Sequence, residues 1–406
     1  MMADTDFDKA LARFTKVSAS PISDQEFQQR IARLQAHMKA QGIGAVWLDA
    51  SSSLHYFCAI KLGQSERIHG ALILPDGAPI YVSPTFEEPK LQSLLRIPGQ
   101  IALWQEDENP YQLIAKLAGD RGPLALDAQT PWLFAAPLMA EMNGRICEAK
   151  PVIAALRQLK SDAELAIIRT AMQASWQVQK AVWQGLREGI STTETCAFID
   201  AAHRAMGLRP LFSAVQFGEA TAYPHGVPYA QKLVQGDMVL VDLGATLHGY
   251  QSDITRCYVF GEATARQRAI WDAERDARDA AFAAAQLGAS CESVDAAARA
   301  SLEAKGYGPG YAVPGLPHRT GHGLGMDIHE EPFIVKGNRT LLAPGMCFSI
   351  EPMLCLYGEC GVRLEDIAFM TQTGAEWFVP PSASLDQPFA VTSATENDAA
   401  VSVDSH

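Results

Sequence analysis

The chain has 406 residues, of which 48 % are hydrophobic and 19 % are charged, and its formal net charge is −13. This length and composition are typical of a globular protein with more than one core, so we expect two domains. The acidic balance argues against nucleic acid or an anionic membrane as main partner, and no apolar run reaches the roughly 18 residues of a membrane span. The eight cysteines form no CxxC pair, which is typical of a reduced, cytoplasmic protein.

Residues 1–150 predict a smaller α/β domain. The spacing of apolar residues predicts an amphipathic helix over 22–43, and short strands are predicted over 45–50 and 71–83, alternating with helical segments. Segment 51–70 contains histidine, tyrosine and arginine side chains at spacings that demand no particular chemistry. We therefore interpret 51–70 as an ordinary polar loop.

Residues 151–386 predict a second, larger domain. Ser161 and Ser191 are each followed by glutamate three residues later, which predicts a capping box and a helix start at both positions. Segment 264–305 is rich in alanine and charge, and predicts a helical region broken near its middle glycine. The tail 387–406 is small and polar, and we expect it to be disordered.

A β-hairpin is predicted where an apolar run over 238–243 and an alternating run over 253–260 flank a glycine-bounded turn at 244–249. Asp242 and Asp253 lie on opposite arms at similar distances from the turn. Cross-strand partners have Cβ atoms roughly 4.5–5.5 Å apart, so these carboxylates should converge. An acid that ends so apolar a run is costly unless a positive charge faces it.

A second stretch repeats this design, with Glu351 and Glu365 on either side of a turn at Gly358. Gly345 precedes Glu351 by six residues, the same spacing that separates Gly236 from the first acid of the other hairpin. The two stretches therefore suggest a duplicated unit. Acids that approach one another repel, and a shared cationic centre resolves the repulsion.

Histidines near these acids shift the expected cation towards a transition metal. His318, His322 and His329 fall within twelve positions, His225 lies upstream, and glycines flank His322 as in a loop that approaches a ligand. Four carboxylates and one histidine indicate a dinuclear centre, with metals roughly 3.5–4 Å apart, that activates water. Arg363 precedes the last acid by two residues on the same strand face, and we expect it to neutralise excess negative charge.

The segments VDLG, SDITR, GHGLG, SIEP and RLED, in this order and spacing, resemble the pita-bread metallopeptidases. This family includes methionine aminopeptidase, aminopeptidase P and prolidase, with creatinase as a relative. The resemblance covers about 160–380, and the chain before it resembles the creatinase-type N-terminal domain of the proline-specific members. It implies an α+β fold in which a creatinase-type α/β domain precedes a pita-bread domain with duplicated acid-bearing hairpins.

The resemblance also implies a ligand set for two divalent metal ions. The ligands are Asp242, Asp253, His322, Glu351 and Glu365. Asp253 and Glu365 would bridge the ions, Asp242 would chelate one ion, and His322 with Glu351 would bind the other. Mn²⁺ is the first expectation, and Co²⁺ or Zn²⁺ are alternatives that such a donor set tolerates.

Further roles follow from the same resemblance. His225 and His329 would contact the substrate and stabilise the reaction intermediate, and Glu351 would move a proton. His318 matches the histidine of the proline-specific HRT motif, and Arg363 matches the arginine beside the last ligand. We place His318 and Arg363, together with His225, on the substrate-binding side.

The implied reaction is hydrolysis of an Xaa-Pro bond by a metal-bridging hydroxide, most simply in dipeptides, as in bacterial Xaa-Pro dipeptidase (prolidase). The substrate would be a small peptide with proline at the second position, and the resemblance implies a homodimer. One alternative is an aminopeptidase P that acts on longer peptides. Others are a different metal-dependent hydrolase or lyase on the same scaffold, or a binding module without chemistry, which the intact ligand set disfavours.

Overall fold

The computed structural model describes residues 6–390, which contain helices and β-sheets in the mixture expected of an α+β protein. The helices in this range are α1 Asp6–Leu11, α2 Asp24–Gln41, α3 Ser52–Cys58, α4 Glu88–Leu94, α5 Pro110–Ala118, α6 Trp132–Glu141, α7 Lys150–Arg157, α8 Asp162–Gly185, α9 Thr192–Ala205, α10 Ala265–Ala284 and α11 Cys291–Glu303. The strands are β1 Ala45–Asp49, β2 Gly70–Ile73, β3 Ile80–Pro84, β4 Gln100–Trp104, β5 Leu124–Leu126, β6 Ile146–Glu148, β7 Arg209–Phe217, β8 Met238–Leu247, β9 Tyr250–Gln251, β10 Ile254–Val259, β11 Gly321–Gly323, β12 Glu330–Ile334, β13 Cys347–Ile350, β14 Met353–Leu356, β15 Cys360–Arg363, β16 Asp366–Met370 and β17 Ala375–Trp377. None of the helices within 6–390 is both long enough and apolar enough to cross a membrane.

Two compact units make up the described chain. Residues 21–157 form the first unit, and residues 6–20 together with 158–390 form the second. The sequence analysis expected one division, at 150/151. The observed first unit instead begins at residue 21 and ends at residue 157. Helix α7 packs on α2 of the first unit, and the ring of Phe7 in α1 stacks on Phe198 of the second unit at 4.0 Å. Both contacts join residues far apart in sequence. A domain boundary judged from local composition cannot take such contacts into account.

The predicted tail 387–406 is described only as far as residue 390. Its described part includes Phe389, whose buried ring packs against Trp176 and Trp183 of α8 at 5.7 Å. Residues 391–406 lie outside the described range, so the expectation of disorder there stays a prediction.

The first unit is a six-stranded mixed sheet in the order β4-β3-β2-β1-β5-β6. Helix α2 falls within the predicted 22–43, and Ser23 caps it by accepting a hydrogen bond from the Glu26 N–H. The strand region predicted over 71–83 is two antiparallel strands, β2 and β3. The interpretation of 51–70 as a loop was wrong in part, because Ser51 caps the short buried helix α3.

In the second unit, the described residues form five α-helices, α1 and α8 to α11, which accompany three sheets. The larger sheets have the orders β10-β8-β7 and β12-β11-β13-β16-β17, and β14 pairs with β15 alone. Both predicted capping boxes are present, at Ser161 before α8 and at Ser191 before α9. The predicted helical region 264–305 forms α10 and α11, which are separated at 285–290.

The first acid-bearing hairpin is tighter than predicted. Strand β8 continues to Leu247, and the turn consists of His248 and Gly249, whose φ angles are 51° and 92°. Two successive positive φ angles make a type I′ turn, which matches the twist of the flanking strands. The chain then leaves the sheet at Ser252 and Asp253 before β10 begins, so Asp253 lies in a strand break.

The second acid-bearing hairpin divides between two sheets. Its base pairs Ile350 with Asp366 in the five-stranded sheet, and its tip is the separate β14–β15 pair. Glu351 and Glu365 lie in the breaks between base and tip, outside any strand. A single bridge between Thr255 and Glu365 joins the two hairpins. The breaks and this bridge bring the acids of both hairpins to one place.

Candidate metal centre

A cavity of about 700 Å³ in the second unit collects all nine site residues that the sequence predicted. The five predicted ligands lie in its wall together with the four predicted substrate-side residues: Asp242, Asp253, His322, Glu351, Glu365, His225, His318, His329 and Arg363. Sequence reasoning did not single out the remaining lining residues, which are Phe212, Pro224, Pro317, Arg319 and Ile328. Chemistry-bearing and apolar side chains therefore share one cavity.

His322 lies at the centre of the acidic cluster. Its Nε2 atom is 3.0 Å from Glu351 Oε1, 3.6 Å from Asp253 Oδ2 and 3.8 Å from Glu365 Oε1. One ligand atom each from Asp253, His322 and Glu365 lie within 4.8 Å of one another, and all three residues are buried. Such a group of one imidazole and carboxylates can hold a divalent cation.

The glycines around His322 have a different purpose from the one predicted. Segment 321–323 is the buried strand β11 rather than a loop, and it lies between β12 and β13. A Cβ on Gly321 would collide with the carbonyl oxygen of Ser349, and a Cβ on Gly323 would collide with that of Glu331. The glycines therefore allow the neighbouring strands to approach closely, and this fixes His322 in the sheet.

Two hydroxyl groups orient the carboxylates, and the sequence analysis missed both. Thr255 donates to Glu365 Oε2 at 2.7 Å. Ser349 donates to Glu351 Oε1 at 3.2 Å and accepts from the backbone N–H of His322 at 2.9 Å. Thr255 and Ser349 each lie two residues from an acid of their own hairpin, so alternation along a strand could have indicated them.

The guanidinium of Arg363 pairs with Asp242, as expected from its position in the sequence. Its Nη2 donates to Asp242 Oδ2 at 2.6 Å, its Nε donates to Thr255 Oγ1 at 3.2 Å and its Nη1 donates to the Pro224 carbonyl at 3.1 Å. Burial alone would lower the pKa of the guanidinium, but Asp242 and the other acids outweigh it and raise the pKa. Arg363 is therefore a buried permanent cation.

One arginine does not balance four carboxylates, of which Asp253 and Glu365 are buried and Asp242 and Glu351 are partly buried. Burial, followed by repulsion from neighbouring carboxylates, raises the pKa of Asp253 and Glu365 well above the ordinary range. Burial also raises the pKa of Asp242, despite Arg363. Glu351 differs: burial opposes its ionisation, but His322 and other positive groups bring its pKa to about 2.

The residues present fit a divalent metal. Among residues 6–390, the buried oxygens Asp242 Oδ1 and Glu365 Oε1 have no hydrogen-bond partner. Unpartnered buried carboxylate oxygens are costly, and a cation among them would satisfy them and remove the repulsion that raises their pKa values.

Three further histidines face the same cavity. The rings of His329 and His322 meet edge to face, with centroids 4.3 Å apart. Partial burial and the charges of His322 and Arg319 lower the pKa of His329 to about 4, so its imidazole is neutral near pH 7. His318 is held by a 2.7 Å contact between its Nδ1 and the Arg319 carbonyl, and His225 is exposed.

A buried ion pair stabilises the bridge between the two hairpins. Arg256 Nη2 donates to Asp366 Oδ1 at 2.7 Å, and both side chains are fully buried. Arg256 Nη1 also donates to the carbonyl oxygens of Thr255 and Glu365 at 3.0 and 2.9 Å. One guanidinium thus binds the backbone of both hairpins where they meet.

Comparison with known proteins supports the family resemblance that the sequence motifs indicated, and it does so for both units. The family model for metallopeptidase family M24 matches residues 166–372, and the model for the creatinase/prolidase N-terminal domain matches residues 30–159. A probable dipeptidase, PepE, from Mycobacterium tuberculosis is 34 % identical over 355 residues, which cover 86 % of this chain and 93 % of the relative. An Xaa-Pro dipeptidase from Lactobacillus delbrueckii is 28 % identical over 369 residues, covering 87 % and 97 %.

A solved structure extends the likeness to three dimensions. The prolidase from Thermococcus sibiricus superposes with a TM-score of 0.79 at 30 % identity, over 87 % of this chain and 97 % of that chain. The family and the two-domain α+β fold predicted from the sequence are thereby confirmed, and the family implies a divalent metal cofactor. The chain belongs to metallopeptidase family M24 and combines a creatinase/prolidase N-terminal domain with a pita-bread catalytic domain.

Proposed function

We propose that this M24 peptidase is a metal-dependent Xaa-Pro dipeptidase. The observation that carries the proposal is the convergence of four carboxylates and His322, from segments far apart in the chain, on one cavity with apolar walls. The names of its relatives support a dipeptide substrate: probable dipeptidase in M. tuberculosis, Xaa-Pro dipeptidase in L. delbrueckii and prolidase in T. sibiricus.

Five side chains would hold two divalent ions, with Mn²⁺ as our first choice and Co²⁺ or Zn²⁺ as alternatives. Asp253 and Glu365 each place a carboxylate oxygen near His322 Nε2, at 3.6 and 3.8 Å, and each carboxylate has two oxygens, which suits them for contact with both ions. Asp242 would bind one ion, and His322 with Glu351 would bind the other. When bound, the ions supply a hydroxide near neutral pH and polarise a carbonyl oxygen.

His329 and Glu351 are the residues we propose for the chemical step. The neutral imidazole of His329 can donate a hydrogen bond to the negative charge that develops on the carbonyl oxygen. Glu351, ionised and 3.0 Å from His322 Nε2, can accept a proton from the attacking water. It can then pass that proton to the proline nitrogen, which must be protonated to leave.

The walls of the cavity suit a proline ring. The bond before proline is a tertiary amide without an N–H, so a peptidase cannot recognise it through that donor. In the cavity wall, Phe212, Pro224 and Pro317 offer apolar surface, and His225 and His318 offer ring nitrogens. We propose that these groups hold the proline side, while Arg363 holds Asp242 in place through their hydrogen bond.

The test compares Ala-Pro with Ala-Pro-Ala on protein loaded with Mn²⁺, with metal-stripped protein as the control. The proposal expects rapid cleavage of the dipeptide, little cleavage of the tripeptide and no activity without metal. Cleavage of the tripeptide alone would assign the protein as an aminopeptidase P. Activity on phosphotriesters or sulfonium propionates, without Xaa-Pro turnover, would assign it to another reaction on this scaffold.

We also propose a cytoplasmic homodimer. All eight cysteines are free, which suits a reducing compartment. Light scattering at micromolar concentration would measure the molar mass, and a value of one chain would reject the dimer.

A further inference from the structure

Arg319 lines the same cavity as the proposed metal ligands. Its side chain is partly exposed, and its guanidinium lies 4.5 Å from the centroid of the Phe333 ring. Within the described residues, it has neither an ion pair nor a hydrogen-bond acceptor.

The backbone on both sides of Arg319 is held in place by helix α11. Arg299 donates to the carbonyl of His318 at 2.6 Å, and Asp295 accepts from the hydroxyl of Thr320 at 2.7 Å. Asp295 and Arg299 form a buried ion pair with each other at 2.9 Å. The stacking on Phe333 restrains the other end of the side chain, so Arg319 is presented to the cavity in a prepared position.

Arg319 differs from Arg363, the other arginine in the cavity wall. The donors of Arg363 are occupied by Asp242, Thr255 and Pro224, whereas the guanidinium of Arg319 is open to a new acceptor. Arg319 is therefore the permanent cation in this wall that can receive an anion.

We propose that Arg319 binds the free C-terminal carboxylate of the dipeptide substrate and thereby selects dipeptides over longer peptides. This inference rests on the proposed function and adds the residue that sets the length of the substrate. A planar guanidinium can make two parallel hydrogen bonds to a carboxylate. A longer peptide places a neutral amide at that position and forgoes the charged pair.

The test uses Ala-Pro and its C-terminal amide, Ala-Pro-NH₂, on Mn²⁺-loaded wild type and Arg319→Gln. We expect the variant to lose about 10- to 100-fold in kcat/KM for Ala-Pro, mainly through KM, which is the usual loss for a charge-assisted hydrogen bond. Activity on the amide should be equal in both proteins. Arg319→Lys should recover part of the loss. An equal loss on both substrates, or no loss on Ala-Pro, would overturn the proposal.

Arg169→Gln is the matched control. Arg169 is also partly exposed and lies 4.9 Å from the centroid of a phenylalanine ring, that of Phe369, but it does not line the catalytic cavity. It should retain the wild-type preference for the dipeptide. A similar loss in this variant would attribute the effect to a general change in charge.

Binding of L-proline and L-prolinamide, measured by calorimetry, separates this inference from the proposed function, because neither molecule can be cleaved. If wild type binds proline more tightly than prolinamide and Arg319→Gln removes the difference, Arg319 binds carboxylates even should Xaa-Pro cleavage fail. Equal binding of proline by wild type and variant would overturn the inference, even in an active Xaa-Pro dipeptidase.

Discussion

The two acid-bearing hairpins share a lead-in of six residues but build the centre in different ways. The first continues through β8 and turns within two residues, so Asp242 stays in a strand and only Asp253 lies in a break. The second separates into two sheets, and both Glu351 and Glu365 lie in its breaks. The same six-residue spacing therefore places the first acid of one hairpin in a strand and that of the other hairpin outside one.

The difference shows where the site obtains its geometry. A regular strand would turn successive side chains to opposite faces of a sheet, and breaks allow acids to leave that alternation. The bridge between Thr255 and Glu365 then places one break against the other. Four changes would break or sharpen this comparison, and they follow in order of expected effect.

The largest effect is expected when each hairpin loses its bridging acid. Asp253→Ala and Glu365→Ala should both abolish Ala-Pro hydrolysis and leave both metal positions empty, because each acid is proposed to serve two ions. Metal content by atomic emission and activity measure this directly. Glu359→Ala is the control. Glu359 is an exposed acid in the turn of the second hairpin, and it pairs with Arg266 of α10. If one of the two variants kept both metals, the hairpins would not be equivalent.

The next effect concerns the ion pair that joins the hairpins. Arg256→Met leaves Asp366 buried without its partner and should lower the free energy of unfolding by about 3–5 kcal/mol. Urea denaturation of metal-free protein measures it. The double variant Arg256→Met/Asp366→Leu should recover most of the loss, because a buried ion pair is often replaceable by apolar groups.

Arg266→Met is the matched control for that experiment. It breaks the exposed pair with Glu359, which is expected to contribute only about 0.2–1 kcal/mol. Equal losses for Arg256→Met and Arg266→Met would show that the hairpins are not held together by the buried pair.

A pH effect is expected where helices support the first hairpin. His203 is buried and contacts Ser175 at 3.0 Å, and Ser175 contacts Ser252, the residue before Asp253, at 2.7 Å. Burial lowers the pKa of His203 from 6.5 to about 4, although nearby Asp200 opposes this. The unfolded chain therefore binds the proton more tightly, and stability should fall by up to about 3 kcal/mol as pH drops from 6.5 through 4.

His203→Gln should reduce that slope, while exposed His248→Gln should not. Thermal unfolding from pH 7 to pH 4 compares the two variants with wild type. A slope in His203→Gln equal to that of wild type would remove His203 from the acid sensitivity of the first hairpin.

The smallest effect is expected for the two supporting hydroxyls, one from each hairpin. Thr255→Val removes the donor to Glu365, and Ser349→Ala removes the donor to Glu351. Each should weaken metal affinity about 10- to 100-fold, as is usual for groups that orient ligands. Competition with a chelator measures the affinity, and Thr255→Ser should restore it. An unchanged affinity in either variant would mean that the carboxylate keeps its position without the hydroxyl.

Much of the local structure could be predicted from the sequence. The capping boxes at Ser161 and Ser191 were predicted correctly because capping depends on residues three positions apart. Helix α3 was missed in an apparently polar loop, and β11 was taken for a loop because glycine is permissive in both settings. The choice between those settings depends on Ser349 and Glu331, which are distant in sequence.

The sequence by itself determined the inventory of the site: nine chemically capable side chains, their order and their resemblance to one family. The tertiary structure alone decided how they are used. It divided the second hairpin, joined it to the first through Thr255, paired Arg363 with Asp242 and left Arg319 open to the cavity. The physical reason is that hydrogen bonds and ion pairs form between groups that are close in three dimensions. Whether a charged side chain is paired or can bind a ligand therefore depends on residues that are distant in sequence.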